Sequence, residues 1–78
     1  MAAKDFYINV GLFANPDNAH NARRKLLKAS LPAATLDMET TKGKRTRVRV
    51  GPFQSRSETK AAMVKIRALQ LDAVAVQP

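Results

Sequence analysis

Residues Val10 to Leu26, VGLFANPDNAHNARRKL, are echoed by Val50 to Ile66, VGPFQSRSETKAAMVKI. Gly11 matches Gly51, Phe13 matches Phe53, Ala22 matches Ala62 and Leu26 matches Ile66, with the same spacing in every pair. A chain of 78 residues that holds two copies of one unit has little room for anything else. Each copy must be a small strand-and-helix element, and the two must share one thin core, because a domain this short buries only about 60 to 65% of its unfolded surface.

The unit reads the same way twice. Ahead of each Val-Gly the apolar residues recur every second position: Phe6, Ile8 and Val10 alternate with Tyr7 and Asn9, and Val48 and Val50 with Arg47 and Arg49. Gly51-Pro52 is read as the end of the second of these strands. Behind each Phe come helix-start residues, Asn15-Pro16-Asp17-Asn18 in the first copy and Ser55 or Ser57 with Glu58 in the second. A helical stripe follows, Ala19, Ala22, Leu26 and Leu27, then Ala62, Met63, Ile66 and Leu69. Two further short strands, Ala34 to Thr40 and Ala73 to Val76, complete a β-α-β-β-α-β order.

Right-handed crossovers on that order predict an α+β, ferredoxin/RNP-like fold. Its four-stranded antiparallel sheet has both helices on one face and the first and third strands at the centre. The uncovered face then holds Tyr7 and Asn9 beside Arg45, Arg47 and Arg49. For the hairpin between the second and third strands, a three-residue loop Thr41-Lys42-Gly43 is expected. That register pairs Thr40 with Lys44, Glu39 with Arg45 and Asp37 with Arg47, and places Leu36 opposite Val48 on the core side. A two-residue loop would put Leu36 and Met38 among the arginines.

Charge narrows the function. Fourteen Lys and Arg against six Asp and Glu give a formal net charge of +8, which attracts polyanions such as nucleic acid, anionic lipid or acidic polysaccharide. Two acids cannot neutralise Arg45, Arg47, Arg49, Lys42 and Lys44, and arginine suits bidentate recognition of carboxylate or phosphate. No enzyme is expected: His20 is the only histidine and has no partner cluster. Ser30, Ser55 and Ser57 lie where helix capping or turns account for them, and the glycine spacing of a nucleotide loop is absent. Phe13 and Phe53 are read as plugs between sheet and helix. No cysteine is present, no cofactor or metal is expected, and no apolar run is long enough to span a membrane.

RNA-recognition domains share this strand order and stack bases on central-strand aromatics. The third strand here offers arginines instead, so RNA binding, with Arg23-Arg24-Lys25 and Lys28 touching phosphate, stands as the alternative. A protein-interaction module using the sheet or the basic first helix is a third reading.

The stretches FYINVGLFANPDNAHNARRKL and RVRVGPFQSRSETKAAMVKI, with the terminal DAVAVQP, resemble the SPOR (sporulation-related repeat) domain from Asp5 to Gln77. The resemblance implies the fold derived above and binding of septal peptidoglycan at glycan strands stripped of stem peptides. It places Asn9 where the family usually has a first-strand glutamine, and Leu12 where a small polar residue is often found. Arg47 matches the third-strand arginine, and Arg45 stands where some members carry an aromatic. The implied glycan-binding set is Asn9, Arg47, Arg45, Leu12, Arg49 and Tyr7. The expectation is a non-catalytic, monomeric module in the periplasm or cell envelope at the division site, part of a larger envelope protein, with no nucleic-acid or membrane contact of its own. Residues 1–4 are read as linker or cloning-derived and 5–78 as the domain.

Overall fold

The computed structural model describes residues 5–76; the expected linker 1–4 and the final Gln77 and Pro78 lie outside the described residues. The order is β1 (Phe6–Phe13), α1 (Pro16–Lys28), β2 (Ala33–Thr40), β3 (Gly43–Phe53), α2 (Arg56–Ala68) and β4 (Val74–Val76). The strands form one sheet ordered β2-β3-β1-β4, with every neighbouring pair antiparallel. The repeated units thus supply the two central strands and the helix that follows each.

A side-chain cap opens the helix in both copies, with different partners in each. The Asn15 side chain accepts a hydrogen bond from the Asp17 N–H at 2.9 Å, and Pro16 occupies the first turn, where its missing N–H costs nothing. In the second copy Ser55, rather than Ser57, is the cap: its hydroxyl accepts from the Glu58 N–H at 3.2 Å. Glu58 carboxylate accepts from the Gln54 N–H at 3.3 Å, so the first turn satisfies donors in both directions. Each helix then ends in a left-handed residue, Ser30 at φ 64° and Gln70 at φ 63°.

Ile8, Val48, Val50, Leu26 and Ile66 are fully buried between sheet and helices, joined by Val10, Ala19, Ala22, Ala62, Leu31 and Ala73. Each of the larger side chains contributes about 1.5–3 kcal/mol by leaving water. Phe13 and Phe53 pack half-buried against this cluster. Leu27 departs from the expected stripe and is 46% exposed, because Ala22 and Leu26 already fill the contact and the 100° step carries Leu27 off it.

Two strand irregularities were not anticipated. β3 does not end at Gly51-Pro52 but runs on to Phe53, with a register shift where Phe6 pairs with Phe53 and Ile8 with Val50. A second shift follows Asn9: Gly11 already pairs with Val48, so Val10 is an extra residue on β1. Val10 and Ile8 both point into the core, and beyond the bulge the alternation is reset. Leu12 falls opposite Arg47 on the uncovered face, while Phe13 falls opposite buried Thr46 on the helix side.

Candidate functional site

The hairpin register differs from the sequence expectation. Thr40 pairs with Gly43, Glu39 with Lys44, Met38 with Arg45, Asp37 with Thr46 and Leu36 with Arg47. The loop is therefore the two-residue Thr41-Lys42. Thr40 explains the tighter turn, since its hydroxyl accepts from the Lys42 N–H at 3.2 Å and donates to the Gly43 carbonyl at 2.7 Å. Gly43, at φ +108°, supplies a backbone most residues avoid just past the turn.

This one-residue change turns over every side chain of β2. Asp37 and Glu39 go to the helix side, where Asp37 accepts a hydrogen bond from buried Thr46 at 3.2 Å. The expected Asp37–Arg47 and Glu39–Arg45 pairings do not form, and Leu36 does not reach the core. Leu36 instead lies 49% exposed on the uncovered face, and it and Met38 flank the arginines.

Built from this register, the uncovered face presents Arg45, Arg47 and Arg49 from β3 and Tyr7, Asn9 and Leu12 from β1. The edges add Ala34, Leu36 and Met38 from β2, and Val74 and Val76 from β4. Among the described residues, the four strands place no carboxylate here. The guanidinium groups lie on an apolar and amide background without an acid across the strand, with Leu36 opposite Arg47 and Met38 opposite Arg45.

Each arginine is held differently. Arg45 donates to the Lys44 carbonyl at 2.8 Å, close to the hairpin. Arg47 Nε lies 3.4 Å from Met38 Sδ, a weak acceptor that leaves the rest of the fork free. The Arg49 guanidinium lies over the Tyr7 ring, 4.8 Å from its centre, within cation–π range. Asn9 pairs directly with Arg49 across the strands, yet Asn9 Oδ1 and Arg49 Nε are both buried without a hydrogen-bond partner. An unmet acceptor beside an unmet donor costs on the order of 1–3 kcal/mol each. The middle of the face therefore stores hydrogen-bonding capacity that a small rotation or a polar ligand would use.

The six sequence-derived residues thus share one surface, with Asn9, Arg49 and Tyr7 in mutual contact or register at its centre and Leu12 beside Arg47. Leu36 and Met38 join this face beyond the sequence-derived set, and the two-residue hairpin loop is the signal that indicates them. A cleft of about 200 Å³ lined by Tyr7, Ala34, Thr35, Leu36, Arg49 and Gly51 opens at the same face. His20 is exposed on α1. Among the described residues no group of His, Asp or Glu is arranged to hold a metal, and no helix is long and apolar enough to cross a membrane.

The SPOR domain family profile matches residues 2–77. The chain belongs to the SPOR family. The SPOR domain of RlpA from Pseudomonas aeruginosa superposes with a TM-score of 0.85 at 31% identity, covering 94% of this chain and 99% of that one. The Spor protein DedD is 27% identical at a TM-score of 0.65; the match covers 95% of this chain but 39% of DedD. The peptidoglycan binding domain of the B. subtilis cell wall lytic enzyme CwlC shares the fold, with a TM-score of 0.77 at 16% identity, over 100% of this chain and 95% of that domain. No curated protein matches the chain. The β-α-β-β-α-β fold and its central β1 and β3 are those of SPOR domains.

Proposed function

We propose that this SPOR domain binds peptidoglycan through the uncovered face of its sheet, without catalysis, and reads glycan strands from which stem peptides have been removed. Family membership supports peptidoglycan as the ligand class, as does the shared fold of a peptidoglycan binding domain. The observation that carries the finer reading is the row Arg45, Arg47 and Arg49 with no carboxylate opposite it on β1 or β2.

Removing a stem peptide by amidase action converts an amide on the lactyl group into a free carboxylate. A denuded strand then carries a carboxylate at regular intervals on the glycan itself, whereas on an intact strand that position is an amide and the charges lie out on the peptides. Arg47, whose fork is least engaged, is the residue to meet that carboxylate in bidentate fashion. Asn9 offers an amide to sugar hydroxyl or acetamido groups, and Arg45, Arg49, Leu12 and Tyr7 extend the contact. Through such binding the domain directs the envelope protein that carries it to the division septum, where denuded strands arise.

The RNA alternative loses ground on this surface. Tyr7 is the one aromatic on the face, and its ring already carries the Arg49 guanidinium, so no free stacking platform is presented.

Co-sedimentation with intact and amidase-treated sacculi tests the reading, with wild type beside Arg47→Ala and Asn9→Ala. Preferential retention on treated sacculi, weakened by salt and reduced in both variants, is the expected result. Equal binding of charge-neutral chitin oligomers would remove the carboxylate from the explanation. Nuclease-sensitive binding would return the RNA reading.

A further inference from the structure

The arginine row is not the largest concentration of charge on this domain. Helix α1 carries Arg23, Arg24, Lys25 and Lys28, and α2 carries Arg56, Lys60, Lys65 and Arg67, all exposed. Against these eight cations the two helices hold only Asp17 and Glu58, both confined to first turns where they complement helix dipoles. Arg23 and Arg67 are tied to the sheet margins, donating to the Ala33 and Ala73 carbonyls at 3.4 and 3.3 Å. Lys25, Lys28 and Lys65 lie in last turns, where they complement the C-terminal dipoles, but Arg24, Arg56 and Lys60 have no such role in the fold.

We propose that the outer face of the helix layer is a second binding surface, and that its occupant is a membrane surface rich in anionic phospholipid. Three observations favour a bilayer over another polyanion. The domain is a slab, 34 × 29 × 15 Å, so the two helices offer a broad face to a planar partner. Phe6, Tyr7, Phe13 and Phe53 all belong to β1 and β3, so the helix layer carries no Phe, Tyr or Trp platform for nucleic-acid bases, and its one ring is the single imidazole of His20 on α1.

The third observation is the mixture of side chains at the outer poles of the helices. On α1 the residues turned away from buried Ala22 and Leu26 include Arg24 and Lys28. On α2 the corresponding pole is Val64, 69% exposed, with Ala61 and Ala68, flanked by Lys60 and Lys65. Leu27, 46% exposed, adds a second apolar contact. Cations surrounding small apolar side chains match a headgroup layer, which offers negative charge above and hydrocarbon just below. The proposal departs from the expectation that the domain makes no membrane contact of its own: no apolar run is long enough to span a bilayer, but adsorption needs no such run. Sheet and helices face opposite ways, so the domain would lie between glycan and bilayer and touch both.

Flotation with phosphatidylcholine vesicles, with and without about one third phosphatidylglycerol, tests this at about 0.05 and 0.3 M salt. The wild-type chain is expected to float only with the anionic vesicles and to be released at the higher salt. Each basic residue held at such a surface tightens binding about fivefold, so Arg24→Gln/Lys28→Gln/Lys60→Gln/Lys65→Gln should bind more than a hundredfold more weakly. Gln keeps helix propensity at these exposed positions; the pair Lys28→Gln/Lys60→Gln, expected to lose more than tenfold, serves if the fourfold variant unfolds. Arg45→Gln/Arg47→Gln should float like wild type while losing sacculus retention. Undiminished flotation of the helix variants, loss in the sheet variant, or no flotation of wild type would overturn the proposal. So would tighter binding to a single-stranded RNA oligomer abolished by the helix changes. Sacculus retention of the helix variants stays unchanged if the glycan reading holds, so the two proposals fail separately.

Discussion

Gly51→Ala tests how closely the repeat junction is built. Gly51 has φ +138°, and a Cβ there would lie 2.9 Å from the Phe6 carbonyl oxygen and 3.0 Å from Cδ1 of Tyr7. The backbone conformation alone costs a side-chain-bearing residue about 1–3 kcal/mol. The carbonyl belongs to β1, whose pairing with β3 prevents it from yielding, and overpacking of this kind adds about 1–3 kcal/mol. A total of about 2–6 kcal/mol is a large part of the roughly 4–12 kcal/mol that a domain of this length possesses. At about 4–8 °C per kcal/mol the melting temperature should fall by roughly 8–48 °C. Gly43→Ala is the control: φ is +108°, but the nearest group is the end of the Arg45 side chain at 3.6 Å, so only the backbone term of about 1–3 kcal/mol remains. Urea unfolding followed by circular dichroism measures both. Tyr7 is the only tyrosine and no tryptophan is present, so intrinsic fluorescence also reports whether the ring under Arg49 has moved. Equal losses in the two variants would refute the argument that Gly51 is required by contact with β1 as well as by conformation.

The observed hairpin register makes Leu36→Ala mild, below about 1 kcal/mol in urea unfolding, against about 2–5 kcal/mol for Ile66→Ala in the core; similar losses would put Leu36 back on the core side. Ser55→Ala should cost about 1 kcal/mol and Ser57→Ala almost nothing, because only Ser55 caps α2. Arg47→Lys should keep the charge yet lose most of the preference for amidase-treated sacculi, since an ammonium cannot form the two-point contact; full retention would reduce Arg47 to a point charge. Tyr7→Leu removes the ring that orients Arg49, a loss of about 0.5–1 kcal/mol in stability with weaker sacculus retention, read by thermal melting and co-sedimentation.

The repeat made element order, strand centrality and the buried set readable, because a duplicated period of two followed by a helical period leaves few arrangements for a short chain. The failures came from single-residue phase. The three-residue loop would bury Leu36, but the Thr40 hydroxyl holds a two-residue turn, and Leu36 on the edge strand is left half exposed. Likewise the bulge at Val10 leaves no mark on the apolar pattern, since Ile8, Val10 and Leu12 still read as one alternating row. The bulge is nevertheless what delivers Leu12 to the arginine face. Asn9 and the arginines were legible as a surface because β3 alternates strictly through Thr46, Val48 and Val50; the stacking of Arg49 on Tyr7 and the unmet pair at Asn9 depend on rotamers that no pattern encodes.

The pairing of Tyr7 with Val76 has a mechanical consequence. A pull shared between the chain segments flanking these two residues would strip the three-residue β4 away rung by rung, at low force. A load entering beside Phe6 alone and resisted by a ligand gripped at Arg47 would instead draw β1 lengthwise along β3, engaging the rungs of that ladder together. The domain should therefore hold a tether in one loading geometry and come apart in the other.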